Sequence, residues 1–260
     1  MLSVDFSVRN LEYMLLLLTR ISCFVYTAPF FSTPNTPRRL RAGFSILMTV
    51  LIYNYVLPYQ GLSYETIWEY AALVIMEAAC GLLIGFVGNI CISVIQFAGA
   101  VMDMDIGLSM VNMFDPVSRQ QTGFTGTLYR YAILLLLIGT DMHHYILSAF
   151  VDAYRLIPVG GVNFQMTRLF EIMVGFMGDA FVIAFRIYLP IYATMLLLNS
   201  ILGILAKVAP QMNMFAVGIQ LKIFTGFTAL ILTVGLLPQL SDFIFSEMKQ
   251  MITAVVEAMS

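Results

Sequence analysis

The sequence predicts an all-α integral membrane protein with about six hydrophobic spans, and three observations predict it. Hydrophobic residues make up 60% of the chain and charged residues 11%, against roughly 45–50% and about 25% in soluble domains. With 13 cations and 15 anions over 260 residues, the chain cannot clothe a soluble globule of its size. The apolar residues fall in six stretches, roughly 11–31, 42–59, 67–102, 128–157, 169–206 and 214–245. A helix needs about 20 predominantly apolar residues to cross a bilayer.

The same numbers exclude other classes. Disorder needs low hydrophobicity and high charge. Nucleic-acid binding needs a basic patch, whereas the formal net charge is −2 with no basic tract. Cys23, Cys80 and Cys91 form no C-x-x-C pair and read as small buried hydrophobes. The first ten residues set Arg9 against Asp5 with no basic n-region, so no cleaved signal peptide is expected.

Taken in order, the stretches are not ordinary lipid-bathed helices. Only the windows 42–64, 78–102, 187–206 and 223–241 are long enough and free of charge. The other runs carry Arg20, Glu69, Glu77, Asp141, Asp152, Arg155, Asp179, Arg186 and Lys222. Each costs about 2.5–3.5 kcal/mol at a lipid-facing bilayer centre, so these groups should face protein or water. The stretches 67–102 and 169–206 would each exceed about 50 Å as one helix, against a core of about 30 Å. Either they fold back as hairpins, with Pro190 able to bend the second, or they extend beyond the membrane. Gly81 and Gly85 form a small-xxx-small step, which lets helix backbones approach closely; leucine there should be disruptive and alanine tolerated. Asp179 and Arg186, seven apart, lie nearly on one helical face, as an intramembrane pair or as two groups that each snorkel or pair elsewhere.

The loops hold the remaining polarity. In Ser32–Arg41, Pro34 and Pro37 bar a helix and three arginines fall within four residues. The positive-inside rule makes this loop cytoplasmic and the N-terminus external. Segment 103–127 is longer than ordinary connections and reads as functional or flexible. Four methionines, Met102, Met104, Met110 and Met113, crowd it; ordinary core filling and a soft seal are both open.

Catalytic signatures are missing. Gly107-Leu108-Ser109-Met110 continues with Val111 where a nucleophile elbow needs glycine. His143 and His144 are adjacent and belong to no H-E-x-x-H, so local hydrogen bonding is expected there and no metal. No cofactor-binding glycine loop occurs, and the chain reads as a non-enzyme.

Four signatures, in order, carry a resemblance over essentially the full length: Thr36-Pro37-Arg38-Arg39; Gln96-Phe97-Ala98-Gly99 leading into Gly107-Leu108-Ser109; Asp115-Pro116; and Lys207-Val208-Ala209-Pro210-Gln211-Met212-Asn213-Met214-Phe215-Ala216-Val217-Gly218. On these the chain resembles the FliR family of flagellar type III export-gate proteins. Lys207 stands where arginine is usual and Met142 where glycine usually precedes histidine.

The resemblance implies long, bent helical hairpins packed in a hetero-oligomeric export gate of the bacterial inner membrane, at the flagellar basal body. The implied partners are FliP, FliQ and FlhB-type subunits, membrane lipid and, transiently, unfolded exported proteins. By matching motif, the implied pore plug is Gly107, Leu108, Ser109, Met110, Val111, Asn112, Met113, Phe114, Asp115 and Pro116. Pro210, Gln211, Asn213, Phe215 and Gly218 form the signature turn, with a structural role. The Ala216-Val217-Gly218 tail favours the flagellar branch over the virulence injectisome. A secondary transporter of a small solute is the competing class, with its site at broken helices near Gly85 and Pro190.

Overall fold

The computed structural model describes residues 8–29, 31–33, 36–56, 62, 64–109 and 123–260. Their regular structure is helical throughout, with no strand among the described residues. In chain order the helices are α1 (Val8–Thr27), α2 (Arg38–Val56), α3 (Ile67–Ile106), α4 (Phe124–Gly139), α5 (Met142–Leu156), α6 (Met166–Val208), α7 (Met214–Thr233) and α8 (Leu237–Glu257). A 3₁₀ turn, Val234–Leu236, joins the last two.

The overlong stretches do not fold back. α3 runs unbroken for 40 residues and α6 for 43, with Pro190 inside it. Of the two options left open by length, these helices take the extended one, at about 60 Å or more each. Among the described residues, three apolar helical segments are long enough to span a membrane: α3, α6 and the α7–α8 segment Met214–Glu257. A fourth results if the bent pair α4 and α5 serves as one span. Among the described residues, then, three or four segments meet that standard, so the hydropathy count of about six is a loose one. The apolar runs of α1 and α2 fall short of that standard, and the run at 128–157 is split at Thr140–Asp141.

The loop before α2 is also shorter than expected. Arg38, Arg39 and Arg41 lie in the first turn of α2, not in a loop. Pro37 directly precedes the helix, and proline suits helix starts because its missing amide is an orphan there anyway. α3 starts on a local cap. The Thr66 hydroxyl oxygen accepts from the Glu69 amide at 3.4 Å, and the Glu69 carboxylate accepts from the Glu65 amide at 2.7 Å, an arrangement close to a capping box.

The chain divides into two compact units. The first comprises residues 1–90, 141–176 and 246–260. Its core gathers Leu16, Ile21, Phe24, Ile84, Val87, Phe150, Ile252 and Val255, all nearly inaccessible. Phe24 and Phe150 stack there with centroids 4.0 Å apart. α3 meets α1 along a seam of glycines. A Cβ added at Gly81 would sit 2.1 Å from the main-chain oxygen of Arg20, and one at Gly85 would sit 2.0 Å from the Thr27 hydroxyl oxygen. The methyl of alanine is thus too large at Gly81, which corrects the expected tolerance of alanine there. The second unit comprises 91–140 and 177–245. It buries Ile95, Ala98, Met102, Ile106, Tyr129, Ile133, Leu137, Ile187, Ile191 and Met195.

Candidate functional site

The segment singled out by its motif lies in the second unit, where α3 ends and α4 begins. α3 stops at Gly107, whose φ of 91° is in the left-handed region, the usual glycine termination of a helix. Its amide donates to the Asp103 carbonyl at 3.1 Å and to the Met104 carbonyl at 3.3 Å. The Ser109 hydroxyl donates to the same Asp103 carbonyl at 3.1 Å. Ser109 is thereby a turn serine engaged with backbone. Of the ten motif residues, Gly107, Leu108 and Ser109 are placed; Met110, Val111, Asn112, Met113, Phe114, Asp115 and Pro116 lie outside the described residues.

The chain returns at Gly123, the residue before α4, which has no side chain with which to cap the helix. The acceptor comes from Asp103. Its carboxylate oxygens accept from the Thr125 amide at 3.1 and 3.2 Å and from the Thr125 hydroxyl at 2.5 Å. Asp103 is 3% exposed and Thr125 fully buried. Below this junction the helices touch backbone to backbone, since a Cβ at Gly99 would lie 2.1 Å from the Gly126 Cα. Two residues along α3, Asp105 accepts a hydrogen bond from the Tyr188 hydroxyl. Sequence reasoning missed Asp103 and Asp105 as organisers; the glycines at 99, 107, 123 and 126 were the available signal.

The second motif forms the turn between α6 and α7. Pro210 and Gln211 lie in the break after Val208, with the Met212 amide donating to the Ala209 carbonyl at 3.2 Å. Asn213 is the N-cap of α7, its side-chain oxygen accepting from the Ala216 amide at 3.4 Å. Phe215 is 70% exposed, whereas Gly218 is buried against Leu202. The motif supplies a proline stop, an asparagine cap and a small residue at a helix crossing.

The misplaced charges take several arrangements. Arg20 and Glu77 in the first unit are wholly buried and paired, with Arg20 Nη2 donating to Glu77 Oε1 at 2.9 Å and Nε donating to Oε2. Arg20 Nη1 also donates to the Ile157 carbonyl at 2.9 Å, and Glu77 Oε1 accepts from the Gly160 amide at 2.9 Å. The Arg20 guanidinium lies 4.5 Å from the Tyr154 ring centroid. Asp152 and Arg155 form an exposed pair along α5, at 3.5 Å. Asp179 and Arg186 are both exposed on α6, and no ion pair joins them; Arg186 instead lies 4.9 Å from the Phe243 ring centroid. At the break before α5, Asp141 and His144 approach to 3.5 Å, and the His143 and His144 rings lie 4.0 Å apart, tilted by 41°. These three are compact enough to hold a cation, but Asp141 and His144 are largely exposed and their contact is an ordinary local pair.

The sequence model of the bacterial export proteins, family 1, matches residues 11–248. The chain belongs to that family. Among its relatives, the flagellar biosynthetic protein FliR of Bacillus subtilis (strain 168) is 30% identical over 225 residues, covering 86% of each chain. FliR of Aquifex aeolicus (strain VF5) is 29% identical, over 84% of this chain and 83% of the relative. FliR of Escherichia coli (strain K12) is 24% identical, over 92% and 90%. The match to this export family includes α3, α4 and the α6–α7 turn, so the junction and the signature turn both belong to the shared part.

Proposed function

We propose that this chain is a subunit of the flagellar protein export gate, a multi-pass component of the bacterial inner membrane. In this reading it works without catalysis, as part of the path by which unfolded flagellar proteins leave the cell. The observation that carries the reading is the surface of α6. Asp179 and Arg186 are exposed near the middle of this helix, among exposed Phe181, Val182 and Phe185. Lipid would penalise both charges by about 2.5–3.5 kcal/mol each on insertion scales, and water would not cover the aromatic groups between them. A protein surface satisfies both, and sibling gate subunits of the FliP, FliQ and FlhB types are the partners that family membership supports.

In the assembled gate the chain acts as one membrane domain, with the arginine-bearing start of α2 on the cytoplasmic side. The connection that begins at Gly107 and ends before Gly123 is its channel element, and residues 107–116 act as the plug. An adaptable seal suits a gate that must hold back ions yet admit a chain, and Leu108, Met110, Val111, Met113 and Phe114 supply soft apolar bulk. The Asn213-capped turn is structural. Co-expression tests the assembly claim: alone, the protein should aggregate or be digested by protease, and FliP- and FliQ-type partners should rescue it. A monodisperse, thermally stable monomer would refute it.

A further inference from the structure

We propose that Asp103 is a positioning residue for the channel connection, fixing from one point both where the chain leaves α3 and where it re-enters α4. The inference rests on the channel reading given above, but its site consists only of residues 99–109 and 123–126. Helix caps are normally local: the residue before the first turn offers its own side chain to the first amides. At α4 that residue is Gly123, which has nothing to offer. Asp103 acts in its place across 22 positions of chain, holding the Thr125 amide and hydroxyl with its carboxylate. The main-chain carbonyl of the same residue holds Gly107 and Ser109 on the outgoing side.

The surrounding glycines make sense only with this tie in place. A Cβ at Gly123 would lie 2.1 Å from Asp103 Oδ2, so any other residue there would displace the carboxylate. Gly99 against Gly126 brings the two backbones close enough for a short side chain to reach across. A carboxylate at a helix N-terminus also meets the positive end of the helix dipole. Its burial makes the tie cooperative, because a carboxylate stripped of these donors in a dry site is strongly disfavoured. Loss of the carboxylate therefore frees the α4 side of the junction first, and the outgoing turn then keeps only its bonds to the Asp103 main-chain carbonyl.

The experiment uses the gate co-assembled with its partner subunits, in membranes, with two readouts. One is membrane conductance; the other is the rate at which a thiol reagent labels Leu108→Cys, which reports the junction whether or not the connection seals a pore. Asp103→Ala should raise both by about fivefold or more, the ratio expected when a cap-strength interaction is lost. Thr125→Val, which removes only the hydroxyl donor, should move labelling in the same direction by less. The deciding variant is Asp103→Ala with Gly123→Asp, which gives α4 a local cap but no link to α3. Labelling should stay fast in it. Return to the wild-type rate would mean that Asp103 only caps a helix, and the proposal would fall. Unchanged labelling in assembled Asp103→Ala would overturn it equally. Shortening 108–114 to glycines separates the two claims. If that variant leaks and Asp103→Ala does not, the positioning role fails while the channel reading stands. If it does not leak, the channel reading fails, and labelling alone then decides whether Asp103 ties the junction.

Discussion

Arg20 and Glu77 form a wholly buried ion pair in the first unit. Neither has access to solvent, and each has a main-chain partner besides the other. Removing one partner strands the other charge in a dry core, which typically costs about 3–5 kcal/mol, whereas an apolar replacement of both is often close to neutral. Glu77→Gln or Arg20→Met should therefore sharply reduce the heat stability and yield of the assembled complex, and Arg20→Met with Glu77→Leu should recover most of both. Failure of the double variant to recover would show that the pair specifies structure in addition to satisfying its own charges. The sequence exposes both residues as charges out of place in apolar runs. It does not reveal that they meet, because 57 positions of chain separate them and nothing local encodes the partner. Gly81 makes a second residue-scale test. Alanine there meets the α1 backbone and should destabilise by about 1–3 kcal/mol. At Gly175, where an added Cβ meets nothing within 4 Å, alanine should be neutral or mildly stabilising. Thermal unfolding of the purified complex distinguishes the two, and equal effects would contradict the close contact.

At the scale of elements, the apolar pattern locates every long helix, but local signals govern where each one ends. Gly107, Pro210 and Asn213 are legible stops and starts because glycine, proline and asparagine act on their own backbone. The start of α4 is not legible in that way, since its cap comes from Asp103 on another helix. Pro190 misleads in the opposite direction: it can bend a helix, yet α6 continues through it. Membrane helices tolerate proline; the carbonyl that Pro190 frees is that of Arg186, one turn earlier, and the Thr194 hydroxyl bond to the Pro190 carbonyl at 2.9 Å is an ordinary bond within the following turn. The α6–α7 turn gives the element-scale prediction. Asn213→Ala removes the cap of α7 and should cost about 1 kcal/mol, lowering the melting temperature of the complex while export continues. Loss of export with unchanged stability would give Asn213 a direct part in transport and contradict its structural assignment.

For the whole molecule, hydropathy gives only a loose span count, because it scores apolarity without asking what covers it. Among the described residues, three or four segments are fit to cross a membrane. Only 33% of the most apolar stretch of α6 is buried within the chain, and 28% of that of α7–α8. Exposed charge at Asp179 and Arg186 amid these surfaces leaves lipid unable to cover them all, as expected of one part of a larger gate. Charging the apolar face tests that surface: Phe181→Glu should block co-purification with partner subunits and leave Asn213→Ala-type variants as folded controls. The most direct measurement is the native mass of the detergent-extracted complex that contains this chain when the FliP- and FliQ-type subunits are co-expressed. The account predicts a hetero-oligomer in which this chain is bound to those subunits. A mass equal to 29.1 kDa, or to copies of this chain alone, would contradict it.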